Sequence, residues 1–137
     1  MKKTIAVLAT MDTKGQGSNY LREQIEQLGG SALLIDMGVV GEPGTRVDID
    51  RSELADLGGT SLEEILKNPT RQDASPVMIE GGTQIVNKLI VEGKIQAIIC
   101  LGGTQGTSNC SQVLQALPYG FPKIMVSTMA SGDTSGF

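Results

Sequence analysis

Four short apolar runs punctuate the chain: TIAVLAT (Thr4–Thr10), SALLIDMG (Ser31–Gly38), QAIICLG (Gln96–Gly102) and PKIMVST (Pro122–Thr128). Each has the length of a strand. The first lacks polar alternation, the pattern of a strand buried on both faces of a parallel sheet. Segments with helical spacing lie between them. In SNYLREQIEQLGG, Ser18 or Asn19 is placed to cap a helix, Tyr20, Leu21, Ile25 and Leu28 recur on one face, and Gly29-Gly30 supplies the stop. SPVMIEGGTQIVNKLIVEG reads as a helix capped by Ser75, with Pro76 at its first position and Gly93 at its end. Its Gly81-Gly82 pair costs about 1 kcal/mol per glycine against alanine, which a bend or a close helix contact would explain. SLEEILKN reads as a short capped helix, and TSNCSQVLQALP as the helix after the third strand. The stretch VVGEPGTRVDIDRSELADLGG has no clean period and is expected to be a long excursion with a short helix near Ser52–Leu57. Loops of this length inside a compact domain are usually functional or contact something else.

Strands alternating with helical segments predict an α/β fold. The expected architecture is an open parallel sheet with helices on both faces, Rossmann or flavodoxin-like, joined by right-handed crossovers. At 137 residues the chain is most simply one domain, 1–137. After the fourth run the sequence gives MASGDTSGF where the pattern calls for another helix, so the chain is expected to be the N-terminal piece of a longer protein.

Composition narrows the function. A hydrophobic content of 39% and a charged fraction of 19% suit an ordinary globular domain. The net charge of −4, the 3% aromatic content and the absence of Trp argue against nucleic acid, which wants basic patches and stacking rings. No signal-peptide pattern and no long apolar run occur, so a cytoplasmic protein without membrane contact is expected. Two cysteines without CxxC spacing exclude a disulfide framework, and Cys100 reads as a buried thiol. With no histidine, any catalysis must use Asp, Glu, Lys, Ser or Thr, and no metal centre is assigned.

In open α/β sheets, ligands bind beyond the carboxyl ends of the strands, where the strand order reverses. The strand-to-helix segments here are TMDTKGQGS, DMGVVGEPG, GGTQGTS and TMASGDTSG, all rich in Gly, Ser, Thr and Asp. In the third, Gly102, Gly103 and Gly106 let the backbone approach a ligand, and the helix that follows aims its free N–H groups and dipole at it. Phosphate is the usual occupant. Thr104, Thr107 and Ser108 add hydroxyls for phosphate oxygens; the plainer reading is a tight turn with Thr107 or Ser108 as cap. GGTQGT is not a P-loop, because no Lys follows the glycine. GQGSNY approaches the dinucleotide fingerprint, yet Tyr20 replaces its third glycine and TMDTK separates it from the strand, which disfavours NAD(P). Asp36 either anchors a loop or meets a ribose hydroxyl. Lys14 suits a phosphate as a point charge, and Asp12, beside Thr13, suits Mg²⁺ or a hydroxyl. The plain alternative is an Asp-initiated turn with an exposed lysine. Ser131-Gly132-Asp133 poses the same choice. Asp48, Asp50, Arg51, Glu53 and Asp56 read as a solvated face, since their spacing is not that of a calcium loop. Met11, Met37, Met125 and Met129 near strand ends read as core filler or as a flexible edge for a purine.

Three motifs then carry a likeness: ATMDTKG (Ala9–Gly15), CLGGTQGT (Cys100–Thr107) and GFPKIMVSTMASGD (Gly120–Asp133). In order and spacing they resemble the ATP-binding N-terminal domain family of the tomato mosaic virus resistance protein and its bacterial and fungal relatives. The resemblance implies a domain that binds ATP, with or without Mg²⁺, forms a homodimer and is the first half of a larger two-subdomain unit. Carried over by position, its site residues are Asp12, Thr13, Lys14, Gly102, Gly103, Gly106, Thr107, Ser131 and Gly132. Gln105 stands where the family loop commonly has glycine. The expected function is therefore nucleotide binding with the phosphates on the Gly-rich segment, and no catalytic residue is assigned. The alternatives are a subdomain of an enzyme acting on a small phosphorylated or carboxylated metabolite, with Asp12 and Lys14 as acid/base groups, and an interaction scaffold working through Val39–Gly59.

Overall fold

The four apolar runs form strands and associate in parallel. A computed structural model describes residues 2–129, and Ser131, Gly132 and Asp133 lie outside them. The elements in chain order are β1 (Thr4–Ala9), α1 (Met11–Gln27), β2 (Ser31–Asp36), α2 (Arg51–Leu57), α3 (Leu62–Lys67), α4 (Arg71–Val91), β3 (Ala97–Gly102), α5 (Thr104–Gln115) and β4 (Lys123–Ser127). The strand order is β2-β1-β3-β4, all parallel, which matches the flavodoxin-like doubly wound order over four strands. In register, Val7 lies beside Leu34 and Ile99, and Ile99 lies beside Ile124. Among the described residues no helix is long and apolar enough to cross a membrane.

Alternation within each strand sends side chains to two cores. On one face α1 covers Val7, Ala9 and Leu34 with Met11 and Ile25. On the other, Ala6, Leu8, Ile35, Ile98 and Cys100 meet α4 and α5 through Met78, Val86, Cys110 and Val113. β1 is central, and Ala6 to Ala9 are fully buried, as the unbroken apolar run requires. β4 departs from that expectation, since Ile124 and Val126 remain exposed on one face. Both cysteines are buried free thiols, and hydrogen bonding to Cys110 together with burial pushes the Cys100 thiol well above its ordinary range.

Three helices begin earlier than their sequence signals suggest. α1 starts at Met11 rather than near Ser18 or Asn19, so Gly15 and Gly17 are helical and not in a loop. A Cβ at Gly15 would sit 2.7 Å from the Gly44 Cα, so this glycine lets the excursion pack on the helix. α4 starts at Arg71 rather than Ser75; Thr70 caps it by accepting from the Asp73 N–H, which leaves Pro76 inside the helix. α5 starts at Thr104, with Gly103 in the cap position assigned to Thr107 or Ser108. The Gly81-Gly82 pair has the second of its two explanations. α2 crosses α4 so closely that a Cβ at Gly81 would overlap the carbonyl oxygen of Leu54, whereas one at Gly82 would rest 3.4 Å from Val113 Cγ2.

Asp36, at the carboxyl end of β2, ties three segments together. Its Oδ1 accepts from the Met11 N–H at 3.1 Å and the Gly38 N–H at 2.7 Å, and its Oδ2 accepts from Arg51 Nε at 2.8 Å. The carboxylate thus caps α1 from another strand, where Thr10 makes no side-chain cap bond. Arg51 also donates through Nη1 to the Gly41 and Val40 carbonyls, at 2.7 and 3.3 Å. The Asp36 and Arg51 side chains are 1% and 8% exposed. This corrects the reading of Arg51 as part of a solvated face: one cation of the charged run turns inward to neutralise Asp36. Asp48 and Asp50 serve locally, Asp48 accepting from the Leu34 N–H and Asp50 capping α2 at Ser52. The Ser52 hydrogen bonds hold the Asp50 carboxyl below its ordinary value.

Gly81→Ala is expected to lower stability by about 2 kcal/mol through overpacking, while Gly82→Ala should raise it by up to about 1 kcal/mol through helix propensity. Urea unfolding of the two variants with unchanged slope checks the contrast. Arg51→Met should lose about 3 kcal/mol, because a buried carboxylate is left without its cation. Lys67→Ala, which removes an exposed partner of Glu64, should lose less than about 1 kcal/mol. Similar losses in the two would contradict a structural role for the Asp36–Arg51 pair.

Candidate functional site

Parallel pairing with reversed order leaves a crevice between the carboxyl ends of β1 and β3, from which chain leaves in opposite directions. α1 springs from β1 on one side, and α5 from β3 on the other. A cavity of about 500 Å³ opens there. Its lining combines Thr10, Asp12, Thr13 and Lys14 of the α1 start, Gly103 to Gly106 of the α5 start, and Pro69, Thr70, Arg71, Ala74 and Ser75 around the α4 start. Met37 to Val40 form the fourth wall, on the loop that Asp36 and Arg51 hold.

Three helix N-termini therefore meet one cavity. The open amides are concentrated at α5, where the cap residue is glycine and offers no side-chain oxygen. Among the described residues none accepts a hydrogen bond from the Thr104, Gln105 or Gly106 N–H, and the first amide used is Thr107, which donates to the Gly103 carbonyl at 3.0 Å. At α1, Asp36 satisfies Met11, and Thr13 and Lys14 donate to the Thr10 carbonyl at 3.2 and 2.9 Å. The charged side chains in the lining are Lys14, Arg71 and Asp12. No described carboxylate pairs with Lys14 or Arg71, and no described group hydrogen-bonds the Asp12 carboxylate. Lys14 Nζ lies 4.0 Å from where a Cβ of Gly103 would stand, which puts the cation beside the open turn of α5. Helix dipoles and lysine together give this end of the cavity a positive field.

The predicted residues divide cleanly. Asp12, Thr13, Lys14, Gly103, Thr104 and Gly106 line the cavity. Asp36 does not: it is buried and accepts from Met11, Gly38 and Arg51, as its reading as a loop anchor requires. Thr107 is fully buried and its hydroxyl pairs with Ser127 Oγ, so it fastens α5 to β4 rather than facing a ligand. Gly102 lies beneath the turn: a Cβ there would overlap the Thr107 amide nitrogen, so its glycine serves helix packing on the strand. The dinucleotide reading of GQGSNY falls, since its glycines sit along α1. Met11 and Met37 are core, whereas Met129 is half exposed. Among the described residues no three metal-ligating side chains converge.

The α4 wall is what sequence reasoning missed. Ser75, assigned to a cap, instead accepts from Gln105 Nε2 at 2.8 Å and Asn109 Nδ2 at 3.2 Å, joining α4 to α5 across the cavity. Its signal was present in TRQD, where Thr70 and Asp73 satisfy each other as a capping pair. Pro76, three residues beyond Asp73, has the look of a first helical position instead.

The family model for the N-terminal domain of UPF0261, an uncharacterised protein family, matches residues 3–137. Among curated proteins, a UPF0261 protein of Clostridium tetani is 46% identical over 134 residues, covering 98% of this chain and 33% of that relative. A UPF0261 protein of Brucella suis is 33% identical over 126 residues, covering 92% of this chain and 30% of its own length. The ToMV susceptible protein tm-1(GCR26) of Solanum lycopersicum is 36% identical over 67 residues, covering 49% of this chain and 9% of the tomato protein. The chain spans about a third of the length of the bacterial relatives. With its order of elements and its nearly full-length match, this chain belongs to the UPF0261 family, as the N-terminal domain of it.

Proposed function

We propose that this domain binds a nucleotide, ATP in the first instance, with its phosphates at the α5 start. The observation that carries the reading is the set of three unused amides at Thr104, Gln105 and Gly106, opening beside Lys14 into the crevice where strand order reverses. Phosphate oxygens would take these amides, and Lys14 would neutralise them as a point charge. Thr13 and Thr104 add hydroxyls. Asp12 has the chemistry to hold Mg²⁺ together with phosphate, since that ion keeps several waters and uses one or two carboxylates. Met37, Val39, Ala74 and Met78 supply an apolar wall for the uncharged end of the ligand.

A second reading has its own support: the Asp12 carboxylate faces the same cavity as Lys14 with no partner among the described residues. A carboxylate and an amine so placed suit acid/base work on a small phosphorylated or carboxylated metabolite. Asp12→Asn separates the two, since loss of turnover with binding intact favours the enzyme.

Isothermal titration of the full-length protein with ATP and Mg²⁺ tests the first reading. Heat saturating at one ligand per site is expected, and Lys14→Ala should weaken binding by about 10- to 100-fold, the worth of one charge-assisted hydrogen bond. No heat with the parent protein, or unchanged affinity in Lys14→Ala, would contradict it.

A further inference from the structure

A parallel sheet is ordinarily covered on both faces, because its crossovers put helices there. Among the described residues, one half of one face is bare here. On the α1 side, α1 packs over β1 and β2 and reaches β3 only at its edge, where Gly17 faces Leu101. Beyond that edge the same register row continues through Ile99 to Ile124 and through Leu101 to Val126. Ile124 is 56% exposed and Val126 49%, while Ile99 and Leu101 are half-buried. The neighbouring residues of β4 that point to the other face, such as Met125, pack against the α5 core. Strand alternation thus turns two β-branched apolar side chains into solvent, on a strand whose outer edge has no described neighbour.

We propose that this strip is a docking surface for the polypeptide that makes up the other part of the family's chains, covering β3 and β4 in cis with an apolar face beside α1. The bacterial relatives devote only about a third of their length to the matched domain, so ample chain exists to supply the cover. Handedness says how it arrives. α5 crosses from β3 to β4 on the α4 side, and a right-handed connection to any further strand beyond β4 also runs on that side. The cover on the α1 side is therefore not the element that first follows β4; it is a later one that returns to the sheet. A second copy of this chain fits less well. Four side chains on two strands fall short of the about 800 Å² that each partner contributes to a standard interface, whereas a tethered segment escapes most of the entropy of association and needs less area.

The native cysteines make the test simple, because Cys100 and Cys110 are both buried. In the family-length protein carrying this domain, Ile124→Cys is compared with Tyr119→Cys, whose site is fully exposed in the adjoining turn. Alkylation is followed by mass spectrometry on the peptide carrying each residue, and each native rate is divided by its rate in urea. Circular dichroism and the urea midpoint report folding, and Val126→Cys replaces Ile124→Cys if the latter misfolds. Ile124→Cys should react about tenfold or more slowly than Tyr119→Cys at every protein concentration, as a covered site requires. Equal normalised rates overturn the proposal. Protection that disappears on dilution also overturns it, since a second copy would then be the cover.

Discussion

One carboxylate organises the end of the sheet on which everything else depends. Asp36 spends its two oxygens on the first amide of α1, on the backbone of the loop after β2 and on Arg51. Because the pair is buried, its value lies less in net stability than in where it fixes three segments, since hydrophobic replacements of such pairs are often as stable. With Asp36 in place, α1 starts directly at Met11, and Asp12, Thr13 and Lys14 occupy its first turn instead of a loose loop. Arg51 then holds the Val40 and Gly41 carbonyls, so the loop that closes one side of the cavity is fixed by the same contact.

The cavity follows from that geometry. A helix start is satisfied either by a cap or by something brought to it. α4 has its own cap in Thr70, and α1 borrows one from β2, while α5 has glycine and no cap. The absence of a side chain at Gly103 leaves the turn open to a guest, and Lys14 stands next to it. Gln105 fills space that glycine would leave, yet it does so by bonding to Ser75 across the cavity, tying α5 to α4 without using the backbone amides. A protein that needed α5 only for packing would gain from a serine or aspartate at the cap.

Fold was more legible than site, for physical reasons that differ by residue. Strand positions came through within one or two residues, and the clearest run, TIAVLA, is dictated by burial on both faces. Helix starts did not. Gly15 reads in the sequence as part of the loop segment TMDTKGQGS, but its place in α1 is set by Gly44, which is remote in sequence. Pro76 resembled a first-turn proline, yet α4 begins upstream at a local capping pair. The segment carrying Gly103, Thr104 and Gly106 was readable because glycine before a helix has few purposes, whereas the burial of Thr107 depends on Ser127 of the next strand. Arg51 looked solvated because its neighbours are charged, and only the pairing of tertiary elements turned it toward Asp36.

The proposed placement of phosphates on the unused amides of α5 is open to one direct measurement. Amide ¹H–¹⁵N spectra of the isotopically labelled protein are recorded as ATP and Mg²⁺ are added. The largest shifts are expected on Thr104, Gln105 and Gly106, with smaller ones on Asp12 to Lys14. Shifts confined to residues outside this cavity, or spectra that do not change, would contradict that placement.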